Sequence, residues 1–135
     1  MITRRETKYV GLALSESAKS TYSRVKIGTV IVRGNKLVSS GANLCTSHPQ
    51  QRRFNDLSKR LAPAHALHSE LHAIVRAKGE SLHDCRLYVA RLDRRGLWAD
   101  SKPCPACTMA IRVAGITRVT YTTPQGIQTC EVSEL

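Results

Sequence analysis

The sequence predicts an α/β fold in three layers, α/β/α, around a five-stranded mixed sheet. Strand-like and helix-like apolar patterns alternate along the chain, the signature of a sheet covered by helices. Two helical segments run from His68 to Gly79 and from Cys104 to Gly115, with a strand between them, and are expected to pack on one face. Only Thr123-Pro-Gln-Gly126 separates the last two strands, too little chain for the crossover that parallel pairing requires, so they must run antiparallel.

In chain order, Thr7 to Ser20 reads as an amphipathic helix, with Val10, Leu14 and Ala18 on one face and Leu12 off it. Thr21-Tyr-Ser-Arg-Val-Lys26 is a loop feeding a strand, Ile27 to Arg33. Gly34-Asn35 turns the chain into a second strand, Lys36 to Gly41, and the pair makes a hairpin. Thr46 to Pro63 is a long polar connection, a length that in a compact domain signals function or mobility. Its Arg52, Arg53, Lys59 and Arg60 form either a basic lip above a site or plain solvated charge. Arg86 to Leu92 is the third strand. Asp93-Arg-Arg-Gly96 and Leu97-Trp98-Ala99 then make a small hairpin extension, whose Trp98 either stacks a base or plugs the hairpin. Thr117 to Thr122 and Ile127 to Val132 complete the sheet. No repeat, linker or low-complexity tract divides the 135 residues, so a single domain over 1–135 is expected.

The chemistry concentrates at the starts of the two central helices. His68-Ser-Glu70 opens one, and Pro103-Cys-Pro-Ala-Cys107 opens the other. If the helices start side by side, His68, Cys104 and Cys107 meet at one point. Cys-x-x-Cys around a helix start is a metal pincer, and three protein ligands leave a fourth corner open, the arrangement of a catalytic zinc. Glu70, two residues past His68, can reach a water in that corner without ligating the metal and can move its proton. His68 and His72 are also four apart on a helix, but the Glu falls in the wrong place for H-E-x-x-H chemistry. His72 is read as packing or as support behind the ligands, and His65 as a loop residue. Cys45 and His48 lack partners for a second metal.

These residues, in this order and with Pro before the first Cys, carry the H-x-E…P-C-x-x-C signature, and the sequence resembles the zinc-dependent cytidine and deoxycytidylate deaminases over nearly its whole length. One departure is Ser69, where that family most often has Ala. The resemblance implies a cytidine deaminase-like fold, a zinc cofactor and hydrolytic conversion of cytosine to uracil, with Glu70 carrying protons to N3 and to the departing ammonia. It places Asn43 on the substrate sugar, and Arg24 and Lys26, at the entry to the first strand, as candidate phosphate contacts. Backbone carbonyls near Ser69 and Ser101 or Lys102 are implied to read the exocyclic amine. Free-nucleoside relatives carry a Glu two residues beyond the Asn, where this chain has Cys45, which argues against a simple nucleoside substrate. Pro-Cys-Pro-Ala-Cys and the His ligand look like deoxycytidylate deaminases, whereas the antiparallel ending looks like free cytidine deaminases. Relatives are commonly oligomers, so a homo-oligomer is expected by analogy.

Composition bounds the alternatives. Hydrophobic content of 41% with 23% charged residues is that of an ordinary globular chain. No apolar run is long enough to cross a bilayer and no signal-peptide core follows the N-terminal charges, so a cytoplasmic location with free thiols at Cys45, Cys85 and Cys130 is expected. A net charge of +11 and a pI near 10.0 favour an anionic substrate, either a nucleotide or single-stranded DNA or RNA. Aromatic content of only 4% weakens the strand alternative, since strand binders need stacking platforms. Deoxycytidylate is the leading expectation. The rivals are cytosine or adenine deamination in a strand, and a zinc-stabilised nucleic-acid-binding module without catalysis.

Overall fold

A computed structural model describes residues 2–58 and 66–135. Lys59, Arg60 and His65 lie outside the described residues. The elements are α1 (Arg4–Ser17), β1 (Ile27–Arg33), β2 (Lys36–Ala42), α2 (Pro49–Leu57), α3 (Ser69–Arg76), β3 (Arg86–Arg91), α4 (Pro105–Val113), β4 (Arg118–Thr123) and β5 (Gly126–Glu131), followed by a 3-10 turn, Val132–Glu134. The strands form one sheet in the order β2-β1-β3-β4-β5. Only β3 and β4 pair in parallel; β1 with β2, β1 with β3, and β4 with β5 are antiparallel. The mixed five-stranded sheet and its antiparallel ending are therefore as the sequence predicts.

Strand alternation divides the core between the two faces. Val30, Val32, Tyr88 and Ala90 point to one side, where Tyr9, Val10 and Ala13 of α1 cover them. Ile31, Leu87, Val89 and Val119 point to the other, against Ala73 of α3 and Ile111 of α4. Each fully buried Val, Leu or Ile contributes about 1.5–3 kcal/mol relative to exposure, and neither cluster contains a candidate metal ligand.

Two elements differ most from the sequence reading. The first helix begins at Arg4, because Thr3 and Glu6 form a reciprocal capping box: Glu6 N–H donates to Thr3 Oγ1 at 3.1 Å and Thr3 N–H to Glu6 Oε1 at 3.0 Å. Its buried face is Tyr9, Val10, Ala13 and Ser17, with Leu14 half-buried and Ala18 exposed. Inside the stretch read as an irregular connection lies α2. His48 caps it by accepting from Gln50 N–H at 3.1 Å, Pro49 opens its first turn, and Gln51, Phe54 and Asn55 are its buried side. The hairpin extension after β3 is present, closed by an antiparallel bridge between Leu92 and Trp98. No helix among the described residues is long and apolar enough to cross a membrane.

A glycine on each face sets how closely helices approach the sheet. Gly28 lies against the Ala13 carbonyl and Ser17 N–H of α1. A Cβ on Gly41 would stand 2.5 Å from Ala73 N and 2.8 Å from Ser69 O. Both are backbone atoms that cannot yield, so the first turn of α3 sits down on β2 only because position 41 has no side chain.

Candidate active site

α3 and α4 begin next to each other, and their caps carry the chemistry. His68 is the extended N-cap of α3 and Cys104 the extended N-cap of α4, with Cys107 one turn further on. Cys104 Sγ accepts from Cys107 N–H at 3.5 Å, so the pincer is part of the helix cap. A local core of Phe54, Leu67, Leu71, Ala106, Cys107 and Ala110 locks the two helix starts together.

His68 is fixed from two sides. Leu67 and Leu44 exchange backbone hydrogen bonds of 2.9 Å, tying the approach to α3 to the exit of β2. His68 N–H donates to Gln51 Oε1 at 2.9 Å, while Gln51 Nε2 donates to Asn55 Oδ1 at 2.9 Å; Gln51 is fully buried. The helix missed in the sequence thus holds the backbone of the candidate ligand. Its signal was available: a capping residue, Pro49 at the first position, and Gln51 with Phe54 and Asn55 at helical spacing.

His68 Nδ1 lies 3.6 Å from Cys104 Sγ and 3.3 Å from Cys107 Sγ, and the three ligand atoms all fall within 4.8 Å of one another. Zinc bonded tetrahedrally to one nitrogen and one sulfur would separate those two atoms by about 3.5 Å. The donor set therefore fits a zinc ion in both chemistry and spacing. The Cys107 thiol, and then His68, hold the Cys104 thiol down to about 4 against the burial that raises it. That is the direction a metal ligand needs, because the thiolate is the ligating form. The partial positive charge at the α4 N-terminus acts in the same sense.

Glu70 occupies the first turn of α3 and is 5% exposed. Burial pushes its carboxyl above the usual range, and the His68 charge opposes this without reversing it. A buried carboxyl on the cavity wall is placed to exchange protons with a bound ligand.

Glu70, His68 and Cys104 share the wall of a cavity of about 350 Å³, a volume suited to a small organic ligand. Asn43, Ser69, Ser101 and Lys102, all singled out in the sequence, also line it. Tyr22, Val25, Ile27, Ala66 and Asp100 line it as well; the first three belong to the loop and strand entry that the resemblance sets beside the site, and the sequence offered no separate signal for the other two. Asn43 braces the cavity mouth: its Nδ2 donates to Val25 O at 2.7 Å and its Oδ1 accepts from Ile27 N–H at 2.9 Å. The Ser101 hydroxyl faces inward, donating to Val89 O at 3.0 Å and accepting from Thr122 N–H at 2.8 Å, which pins the approach to Cys104 onto β3 and β4.

Three sequence candidates stand elsewhere. Arg24 is exposed, on the loop between the lining residues Tyr22 and Val25. The Lys26 ammonium donates to Ser20 O at 3.1 Å and closes the loop instead of lining the cavity. Trp98 packs on the α1 cluster, on the opposite face of the sheet from the cavity. Its surroundings are those of the hydrophobic plug, not of a stacking platform. The Nδ1 of His72 contacts the backbone of Ala42 at 3.0 Å, a packing and bracing role behind the ligands.

Comparison with known proteins agrees with this geometry. Deoxycytidylate deaminase of Mycobacterium phage D29 is 27% identical over 125 residues, spanning 84% of this chain and 90% of the phage protein. Among solved structures, the dCMP deaminase of cyanophage S-TIM5 in complex with dCMP and dUMP superposes with a TM-score of 0.64 at 23% identity, over 90% of this chain and 82% of that one. Cytidine deaminase from Burkholderia pseudomallei reaches 0.69 at 17% identity, over 98% and 95%. The family described as the cytidine and deoxycytidylate deaminase zinc-binding region matches residues 3–123, and on that match this chain belongs to the zinc-dependent cytidine and deoxycytidylate deaminases, which are hydrolytic enzymes.

Proposed function

We propose that this protein hydrolyses the exocyclic amine of cytosine in a free nucleotide, converting dCMP to dUMP. The observation that carries the reading is a buried carboxyl, Glu70, that shares the wall of one nucleotide-sized cavity with His68 and Cys104 of a Cys/Cys/His triad. The phage relative named as a deoxycytidylate deaminase supports the choice of substrate. His68, Cys104 and Cys107 would hold a zinc ion, which would supply Lewis-acid activation of a water molecule. Glu70 accepts a proton from that water as its oxygen bonds to C4 of the base. The same carboxyl passes that proton to N3, then takes the second proton from the hydroxyl now on C4 and gives it to the leaving amine, so water and dCMP become dUMP and ammonia. The Ser69 carbonyl faces β2 at Gly41, so Ser101 or Lys102 offers the backbone carbonyl that receives the exocyclic amine. Asn43, on the cavity wall, is the residue assigned to the sugar, and Lys102 on the same wall supplies the positive charge for a single 5′-phosphate.

The net charge of +11 favours one rival, a single-stranded polynucleotide substrate. Among the described lining residues only Tyr22 offers an aromatic face, which is sparse for a strand that binds by stacking. The two readings separate in one experiment: ammonia release from dCMP, CMP, deoxycytidine, dAMP and short single strands, each at low and high salt. We expect dCMP to be the best substrate, with a shallow salt dependence set by one phosphate. Preference for strands, with rates falling steeply as salt rises, would overturn this reading, because each neutralised phosphate steepens the slope.

A further inference from the structure

The residue between the ligand and the acid is not a spacer in this chain. In the β1–β2 register Thr29 stands directly opposite Gly41, on the face covered by α3. Because Gly41 lets the first turn of α3 settle on the sheet, the Ser69 hydroxyl reaches the Thr29 hydroxyl at 2.9 Å. Ser69 Oγ also donates to Glu70 Oε1 at 3.0 Å. Thr29 and Ser69 are 0% and 1% exposed, so water does not compete for these bonds. A hydroxyl has one proton to give. Ser69 commits its proton to the carboxylate, so Thr29 must donate in the pair, and the chain of donors runs from Thr29 to Ser69 to Glu70.

We propose that Ser69, oriented by Thr29, is a positioning residue that fixes the rotation of the Glu70 carboxylate. The inference rests on the proton-carrying role given to Glu70 above. With Oε1 held in a buried hydrogen bond, the carboxylate cannot turn about its last torsion without breaking that bond. One orientation of the carboxylate on the cavity wall is therefore selected before substrate enters, which is how supporting hydroxyls raise a rate without touching substrate.

The test compares Ser69→Ala, Thr29→Val, the double variant and Thr29→Ser, each loaded with zinc and checked for metal content. A hydrogen bond to a charged group that acts in the transition state predicts about a tenfold fall in kcat for Ser69→Ala, with KM changed by less than about twofold. Thr29→Val is expected to lower kcat in the same way through Ser69. The double variant should be no worse than the poorer single one, since residues acting as one unit are non-additive. Thr29→Ser, which keeps the hydroxyl, should restore the rate. Melting temperatures of the same proteins without metal should show the same non-additivity, a readout independent of turnover. Full kcat in Ser69→Ala, or losses that multiply in the double variant, would overturn the inference. Loss of zinc together with kcat would also overturn it, by showing that the hydroxyls hold the metal site and not the acid. If Glu70→Gln stays active, the role of Glu70 itself has failed; if only Ser69→Ala stays active, this inference alone has failed.

Discussion

Glu70→Gln is expected to eliminate turnover while zinc content and fold stay intact. The substitution keeps the shape of the side chain and an oxygen that can accept from Ser69, but removes the group that exchanges protons. Glu70 is 5% exposed at the wall of the cavity, and no other carboxylate among the described residues both lines that cavity and lies buried. Asp100, the other acid on the wall, is exposed, and its Oδ1 already accepts from Lys102 N–H at 3.1 Å. The loss should be about 10⁴-fold in kcat, the upper end of what one general acid–base contributes. Because the amide removes a charge that burial disfavours, stability should not fall. Ammonia release with a parallel metal assay checks both halves, and an active Gln variant would end the proposed chemistry.

Stripping the metal with a chelator is expected to abolish activity reversibly without unfolding the sheet. The two large core clusters, one on each face, contain none of the three ligands. Cys107 lies in the third core group, the one that joins α3 and α4, with Cys104 packed against it. Loss of zinc should therefore loosen the two helix starts and lower the melting temperature, because ligand binding to the folded state adds stability that grows with free metal. The far-UV circular dichroism should persist, and zinc should restore turnover. Global unfolding on chelation would favour the zinc-stabilised binding module, where the metal supplies the folding energy outright.

Most of this was legible because the informative residues sit at helix starts. His68 lies 36 residues before Cys104, yet each of the three ligands marks an N-cap or first turn, and two helices packed on one sheet face bring their N-termini together. The antiparallel ending was legible from the four residues between its strands. What sequence reading missed depended on polar residues buried by tertiary contacts. α2 looked like a loop because Arg52 and Arg53 face solvent, while its buried side uses Gln51 and Asn55, residues that usually mark the surface. The α1 start was hidden because Thr3 and Glu6 precede the apolar pattern, although their spacing is that of a capping box. Trp98 could not be assigned a side of the sheet until the hairpin extension was seen folding over α1. Thr29 read as an ordinary strand residue, since nothing local shows that it lies beneath Ser69.

The account depends on a metal centre that is closed on three sides and open on the fourth. X-ray absorption at the zinc edge of the purified protein tests this most directly. The expected result is one zinc per chain with two sulfurs at about 2.3 Å, one imidazole nitrogen at about 2.0 Å and one further light atom. A shell of four protein ligands, or a protein that takes up no zinc, would contradict it.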